Sequence, residues 1–410
     1  MKIAYLTGEY PRATDTFIQR EVAALRDEGL EVLTCSIRRT SDDHLVGPEQ
    51  RQEAARTFHV LPAVVNPLTM ARAEFSMLPR LGRYFRALAL AWRTAPKGIK
   101  GRLYNLIYFT EAVVLAHHLR KNGVQHLHNH IAKSSCTVAM LASELSGIPY
   151  SFTLHGPDIF FAPGHWRLDE KIARARFVAC ISEFCRSQAM FFSAQPHWGK
   201  LKIIHCGVEP DRYGAGDRDG TKLMFVGRLA AVKGVPVLLE ALAEARRTRP
   251  ELTLTLVGDG PDRAALIAQA QALDLAGAVT FTGYKSQSEV AELLACHDAL
   301  VLPSFAEGVP VVLMEAMAAR MPAVATAVGG VSELVEDGTT GCLVAPGDGA
   351  ALRAAILRVM EDSALRQRMG EAGRAKVEAH FTATTEAARL ARMFRADHDL
   401  PPEKRPEAQS

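Results

Sequence analysis

At 410 residues the chain is too long for one ordinary core, and two domains are expected. Hydrophobic residues make up 48% and charged residues 23%, the balance of a globular protein, and a formal net charge of +3 gives no global case for a nucleic-acid partner. The odd number of cysteines, 7, matches no metal-site spacing and reads as buried or free thiols in a reducing compartment. Met1–Thr7, MKIAYLT, reads as a first strand, too short for a signal peptide, and no run approaches the roughly 18 apolar residues of a membrane span. A cytoplasmic location is expected.

In chain order, Ile3–Thr7 is a strand, Gly8 to Thr16 a polar loop, and Thr16 a candidate cap. Phe17, Val22, Ala24 and Leu25 recur at helical spacing up to Gly29, and Val32–Ile37 is the next strand. This strand–helix–strand unit starts a doubly wound half. Its loop carries one Gly and lacks the dinucleotide fingerprint. Ser41–Phe58 is polar and expected to be irregular. Pro67–Arg102 holds Arg72, Arg80, Arg83, Arg86, Arg93, Lys97, Lys100 and Arg102 against a single acid, Glu74, interleaved with Phe75, Tyr84, Phe85 and Trp92. It is expected as a basic amphipathic helix. That pattern suits an anionic membrane surface over 72–102 and equally suits a helix packed on its own domain; the two are compatible.

Tyr104–Leu119 is a further helix, and His126–His130 reads as a strand end. No Cys or carboxylate joins His128 and His130 at ligand spacing, so a structural or acceptor-side role is expected rather than a metal. Ser134–Leu145 is a helix and Ile148–Leu154 a strand. His155 follows at once, before a Gly-Pro break, which exposes it at the ligand edge of a parallel sheet. Phe177–Ile181 and Lys202–His205 complete this half.

Gly207–Lys222 is the clearest linker. It divides the chain into an N-terminal domain, 1–207, a second doubly wound domain, 208–380, and a C-terminal helix with a polar tail, 381–410, disordered from Pro401. Strands are expected at Leu223–Val226, Leu252–Val257, Val279–Thr282, Ala299–Leu302, Pro322–Thr326 and Cys342–Val344. Two such domains face each other across a cleft, where small-molecule sites form.

Within the second domain Ser304–Ala316, SFAEGVPVVLMEA, carries the densest chemistry. It reads as a loop after a buried strand, then a helix from Val309 or Pro310. Glu307 falls in the loop and Glu315 about two turns into the helix. The plain alternative is a helix cap and a surface residue. Other strand ends add complementary groups. Arg228 and Lys233 suit a diphosphate, and Gly329-Gly330 offer backbone N–H groups before a helix. Glu315 can accept from two vicinal ribose hydroxyls, and Glu307 from sugar hydroxyls. Ribose, diphosphate and hexose in a row make a nucleotide-sugar.

FVGRLAAVKG at 225–234, VGDGP at 257–261, EGVPVVLMEA at 307–316 and VGGVSELVEDGTTGCLV at 328–344 resemble the retaining GT-B glycosyltransferases of family 4, the glycosyl transferases group 1. YPRATDTFIQRE at 10–21 and SFTLHGPDIF at 151–160 are similar to the subgroup that builds bacterial exopolysaccharides, such as the colanic acid glycosyltransferases. The resemblance spans nearly the whole chain. It implies the GT-B fold, with two Rossmann-like domains facing across a cleft. It assigns Arg228 and Lys233 to the donor diphosphate, Glu315 to the ribose, Glu307 to the transferred sugar, and the backbone of Gly308, Val309, Pro310 and Val311 to sugar and phosphate. His155 matches the family histidine that approaches the donor sugar from the other domain. Many members have Phe-Gly where this chain has Val309-Pro310, which withdraws one backbone N–H. The implied activity is retaining transfer of a hexose or N-acetylhexosamine to a glycan or lipid-linked acceptor hydroxyl. The expected donor is a UDP-sugar first and a GDP-sugar second, with no metal and no other cofactor. An epimerase of the same architecture is the enzymatic alternative, disfavoured by the paired glutamates and by Gly227-Arg228 with Lys233-Gly234. A non-catalytic nucleotide-sugar binder is the third.

Overall fold

The computed structural model describes residues 1–12, 15–45, 47–156 and 158–399. Pro157 and the tail from Pro401, expected to be disordered, lie outside the described residues. Seven strands, β1 (Lys2–Glu9), β2 (Glu31–Arg38), β3 (Phe58–His59), β4 (His126–His130), β5 (Tyr150–Leu154), β6 (Val178–Cys180) and β7 (Leu201–Ile203), form one sheet in the order β3-β2-β1-β4-β5-β6-β7. Six more, β8 (Lys222–Val226), β9 (Thr253–Val257), β10 (Val279–Gly283), β11 (Ala299–Leu302), β12 (Ala323–Thr326) and β13 (Gly341–Val344), form a second sheet in the order β10-β9-β8-β11-β12-β13. All pairings within both sheets are parallel. Such sheets are covered on both faces, so central strands read as unbroken buried runs; every residue of β5 and β11 is buried. In each sheet the strand order reverses once, between β1 and β4 and between β8 and β11. These switch points are where doubly wound sheets bind ligands.

One face of the first sheet packs Ile3, Tyr5 and Phe177 against Ile18, Val22 and Leu25 of helix Thr16–Asp27, and against Leu390 and Phe394 of helix Ala383–Asp399. The last described helix therefore belongs to the core of the first half of the chain.

Several local expectations are corrected. Ser41–Phe58 is not irregular: Pro48–Arg56 is a helix with Pro48 in its first turn, held by the two-pronged bond of Arg26 to Glu53, both contacts 2.8 Å. The basic stretch is not one helix. It breaks into Pro67–Phe75, a turn at Leu78–Arg80 and Leu81–Arg93, because Pro79 cannot continue a hydrogen-bonded helix. The next helix is longer than expected, Ile99–Lys121. Thr16 is the first helical residue rather than the cap, which is Asp15. His126–His130 is a whole central strand, fully buried. All seven cysteines are unpaired. Among the described residues no helix is long and apolar enough to cross a membrane.

Candidate active site

Strands β8 and β11 are neighbours in register, Ala299 beside Leu223, so the loops that follow them leave the sheet together. The β8 loop brings Lys233 and the β11 loop brings Glu307. Lys233 Nζ lies 2.5 Å from Glu307 Oε1, and the Ser304 hydroxyl donates to the same oxygen at 2.6 Å. Glu307 is buried, so it is a positioned carboxylate and not a solvent-facing cap. The two loops are locked by close approach. Gly234 sits at φ 65°, and a Cβ there would lie 2.1 Å from the Pro303 carbonyl oxygen. Arg228 is exposed at the same edge.

Helix Val311–Ala318 follows, with Pro310 at its N-cap in extended conformation rather than inside its first turn. Glu315 is the fifth residue, little more than one turn in, not two. It is not a surface residue: it is 8% exposed. Its carboxylate accepts from Arg20 Nη2 at 2.7 Å, and Arg20, from the other domain, is 4% exposed. Burial, and then the Glu315 charge, push the Tyr213 phenol far above its usual range, which places Tyr213 at the same carboxylate. The expected pair of bare N–H groups at Gly329-Gly330 is reduced, because Gly330 N–H donates to the Gly308 carbonyl at 2.8 Å. The helix that follows, Val331–Leu334, is only four residues long.

The opposite wall comes from the first sheet. The His155 backbone meets the loop after β11: a Cβ on Gly308 would lie 2.2 Å from the His155 carbonyl oxygen. Its ring is turned into its own domain. Nε2 is 3.0 Å from His130 Nδ1, Nδ1 is 3.8 Å from Cys206 Sγ, and Phe17 packs on the ring at 4.9 Å between centroids. His130 Nε2 in turn lies 3.1 Å from Glu21 Oε1, which also accepts from the Tyr5 hydroxyl at 2.6 Å. A carboxylate only accepts, so the Nε2 of His130 carries the proton in its contact with Glu21. Burial, with His130 beside it, holds the His155 ring well below the ordinary imidazole range, and it is neutral. His128 bonds Ser151 at 2.7 Å and Thr153 at 2.8 Å. Glu21, His128 and His130 bring candidate ligand atoms within 4.8 Å of one another. Every ring nitrogen of the two histidines already has a hydrogen-bond partner, so the group is a satisfied polar network that joins β4 and β5 to helix Thr16–Asp27.

Of the residues expected in the site, the structure brings Lys233, Glu307, Gly308, Pro310 and Gly330 to one edge, with the His155 backbone facing them. Sequence reasoning missed Arg20, Glu21 and Glu333. Glu333 accepts from the backbone N–H groups of Glu183 and Phe184, each at 2.8 Å, and so caps a helix of the opposite domain. A usable signal existed for the first two, since Phe17, Arg20 and Glu21 fall within one helical turn behind a strand end.

Residues 215–376 match the family described as glycosyl transferases group 1, and residues 93–212 match Glycosyltransferase Family 4. Glycogen synthase of Mycobacterium tuberculosis is 37% identical over 205 residues, 49% of this chain and 50% of that protein. The chain thus spans about half the length of that relative. The amylovoran biosynthesis glycosyltransferase AmsK of Erwinia amylovora is 26% identical over 421 aligned positions, 93% of this chain and 96% of that one. Among solved structures, sucrose-phosphate synthase from Thermosynechococcus elongatus superposes with a TM-score of 0.75 at 20% identity, covering 97% of this chain and 99% of that one. Anabaena HepE in complex with UDP-glucose does so with a TM-score of 0.74 at 19% identity, covering 97% and 100%. At such identities the likeness is one of fold, and the fold is GT-B. The chain thus carries a Glycosyltransferase Family 4 segment at 93–212, followed by a glycosyl transferases group 1 segment at 215–376.

Proposed function

We propose that the protein is a retaining glycosyltransferase that moves a hexose or N-acetylhexosamine from a nucleotide-diphosphate sugar, a UDP-sugar first and a GDP-sugar second, to a hydroxyl of a glycan or lipid-linked acceptor in cell-surface polysaccharide synthesis. The observation that carries it is buried Glu307 against Lys233 at the β8/β11 switch point, with a second buried carboxylate, Glu315, on the helix that follows. Relatives support it by name: AmsK is an amylovoran biosynthesis glycosyltransferase, and TuaC of Bacillus subtilis a putative teichuronic acid one.

In this reading Glu315 accepts from the ribose hydroxyls and Glu307 from those of the transferred sugar. The Gly308–Val311 backbone lies along sugar and phosphate, with Pro310 giving no N–H. Gly329 and Gly330 approach the diphosphate closely because they carry no side chain. The hard step is departure of the diphosphate from an oxocarbenium-like sugar. Arg228 and Lys233 supply the positive potential for it, preorganised at a strand edge, and no metal is invoked. Glu307 is bound to Lys233 and Ser304 and so is a poor nucleophile. Front-face attack, with the leaving phosphate taking the acceptor proton, accounts for retention without a covalent intermediate. His155 contributes through its backbone beside Gly308, with its ring held neutral behind it.

Residues 72–102 supply a membrane-facing surface for a lipid-linked acceptor, on the inner face of the cytoplasmic membrane. Phe75, Leu78, Phe85, Trp92 and Ile99 are each more than half exposed there, as are Leu68 and Leu103 at its borders. Exposed Arg72, Lys97 and Lys100 flank them.

A thermal-shift panel of nucleotide-sugars tests the assignment, since a ligand of the folded state alone stabilises it by mass action. The stabilising donor should then be consumed only when acceptor is added. Consumption without acceptor would point to an epimerase, and binding without turnover to a non-catalytic protein.

A further inference from the structure

Arg20 holds more hydrogen-bonding capacity than the protein uses. It stands on helix Thr16–Asp27 at the domain junction and is 4% exposed. Nη2 serves both of its bonds, to Glu315 at 2.7 Å and to Thr16 at 3.2 Å. Nε and Nη1 are buried and have no partner among the described residues. Unused buried donors on a cation are costly, and proteins keep them where something else supplies the acceptor. Glu315 has matching spare capacity. Arg20 and the Tyr213 phenol both bond this carboxylate, and since a carboxylate offers about four lone-pair positions, some stay open.

We propose that Arg20 is a positioning residue for the nucleotide's ribose, supplied by the opposite domain, which fixes the Glu315 carboxylate and shares the vicinal hydroxyls with it. This rests on the reading of Glu315 as the ribose carboxylate. A vicinal diol is complementary to both partners at once. Its two O–H groups donate to the carboxylate, and its oxygen lone pairs accept from the unused guanidinium N–H groups. The rigid fork of arginine suits this division; a lysine ammonium keeps the charge and loses the geometry. Because Arg20 and Glu315 sit on different domains, a ribose between them also bridges the cleft.

The test compares UDP, GDP and ADP with their 2′-deoxy counterparts by calorimetry on the full chain, and on Arg20→Met and Arg20→Lys, using the base that binds tightest. The wild-type protein should prefer the ribonucleotide by about tenfold, the size of one charge-assisted hydrogen bond, and both variants should reduce that ratio to about twofold. A purely structural Arg20 would lower the melting temperature and weaken both ligands equally, leaving the ratio unchanged; that result overturns the inference and leaves the ribose reading standing. Arg20→Lys retains a cation against Glu315 and guards against an unfolded Met variant. Equal affinities in the wild-type protein overturn the ribose reading and the inference together. Absence of any nucleotide binding overturns the proposed function as well.

Discussion

Lys233 and Glu307 come from two separate strand-end loops and meet at 2.5 Å, with the Ser304 hydroxyl on the same carboxylate oxygen. Each therefore holds the other in position before any ligand arrives. Removing Lys233 strands a buried carboxylate and also deletes positive potential at the leaving group. Lys233→Ala is expected to lower kcat by about 100-fold or more. Glu307→Gln should lose transfer to a similar extent while remaining folded by circular dichroism. Steady-state turnover of either variant at the wild-type level would sink the assignment of this pair.

Glu333 reaches across the cleft to cap the helix that begins at Glu183, through two N–H contacts of 2.8 Å. A carboxylate at a helix N-terminus is stabilised by the orphan donors and by the helix dipole. Glu333→Ala should cost about 1–2 kcal/mol by urea denaturation. It should also loosen the two domains against each other, read as a larger radius of gyration in small-angle scattering. An unchanged radius would mean that other contacts hold the cleft.

Glu111, on helix Ile99–Lys121, is 4% exposed, and its Oε2 has no partner among the described residues. Burial pushes its carboxyl from 4.5 up to about 7, with Arg38 pulling weakly the other way. The folded state thus holds a proton that the unfolded chain releases. The stabilising contribution is complete below about 4.5 and is lost as pH rises through about 7. Glu111→Gln fixes the neutral form. It should raise stability by ~1–3 kcal/mol at pH 8 and change it little at pH 4. Parallel melts at the two pH values check the sign.

The exposed apolar residues between 68 and 103 predict binding to anionic vesicles. Each basic residue near such a surface contributes about 1 kcal/mol, so converting Arg72, Lys97 and Lys100 to Gln should weaken co-sedimentation by about 100-fold. Equal binding of the wild-type protein to neutral and anionic vesicles would contradict the membrane reading.

The alternation of strands and helices was legible because buried parallel strands are apolar runs, as in Ala299–Leu302. Glu307 was legible for the same reason, since it follows such a run. The burial of Glu315 was not, because its partner Arg20 lies 295 positions away, beyond any local pattern. His126–His130 misled because its polar residues look like a strand end. The fold buries them by pairing His128 with Ser151 and Thr153 on β5, a match visible only once β4 and β5 are side by side. The break in the basic helix was written in the sequence as Pro79 and was outweighed by the run of charge around it.

The chain passes between its halves twice, and the two passages are tied together. Val208 N–H donates to the Phe381 carbonyl at 2.9 Å, and Ala383 N–H donates to the Val208 carbonyl at 2.8 Å. Helix Ala383–Asp399 then completes the hydrophobic face under β1. A chimera that exchanges the second half between relatives must therefore be cut at both passages, near 208 and near 382, and must keep the last helix with the first half. A single junction at the linker would leave Leu390 and Phe394 of one parent against Ile3 and Tyr5 of another, a mismatch at the floor of the first domain rather than at the seam where it was made.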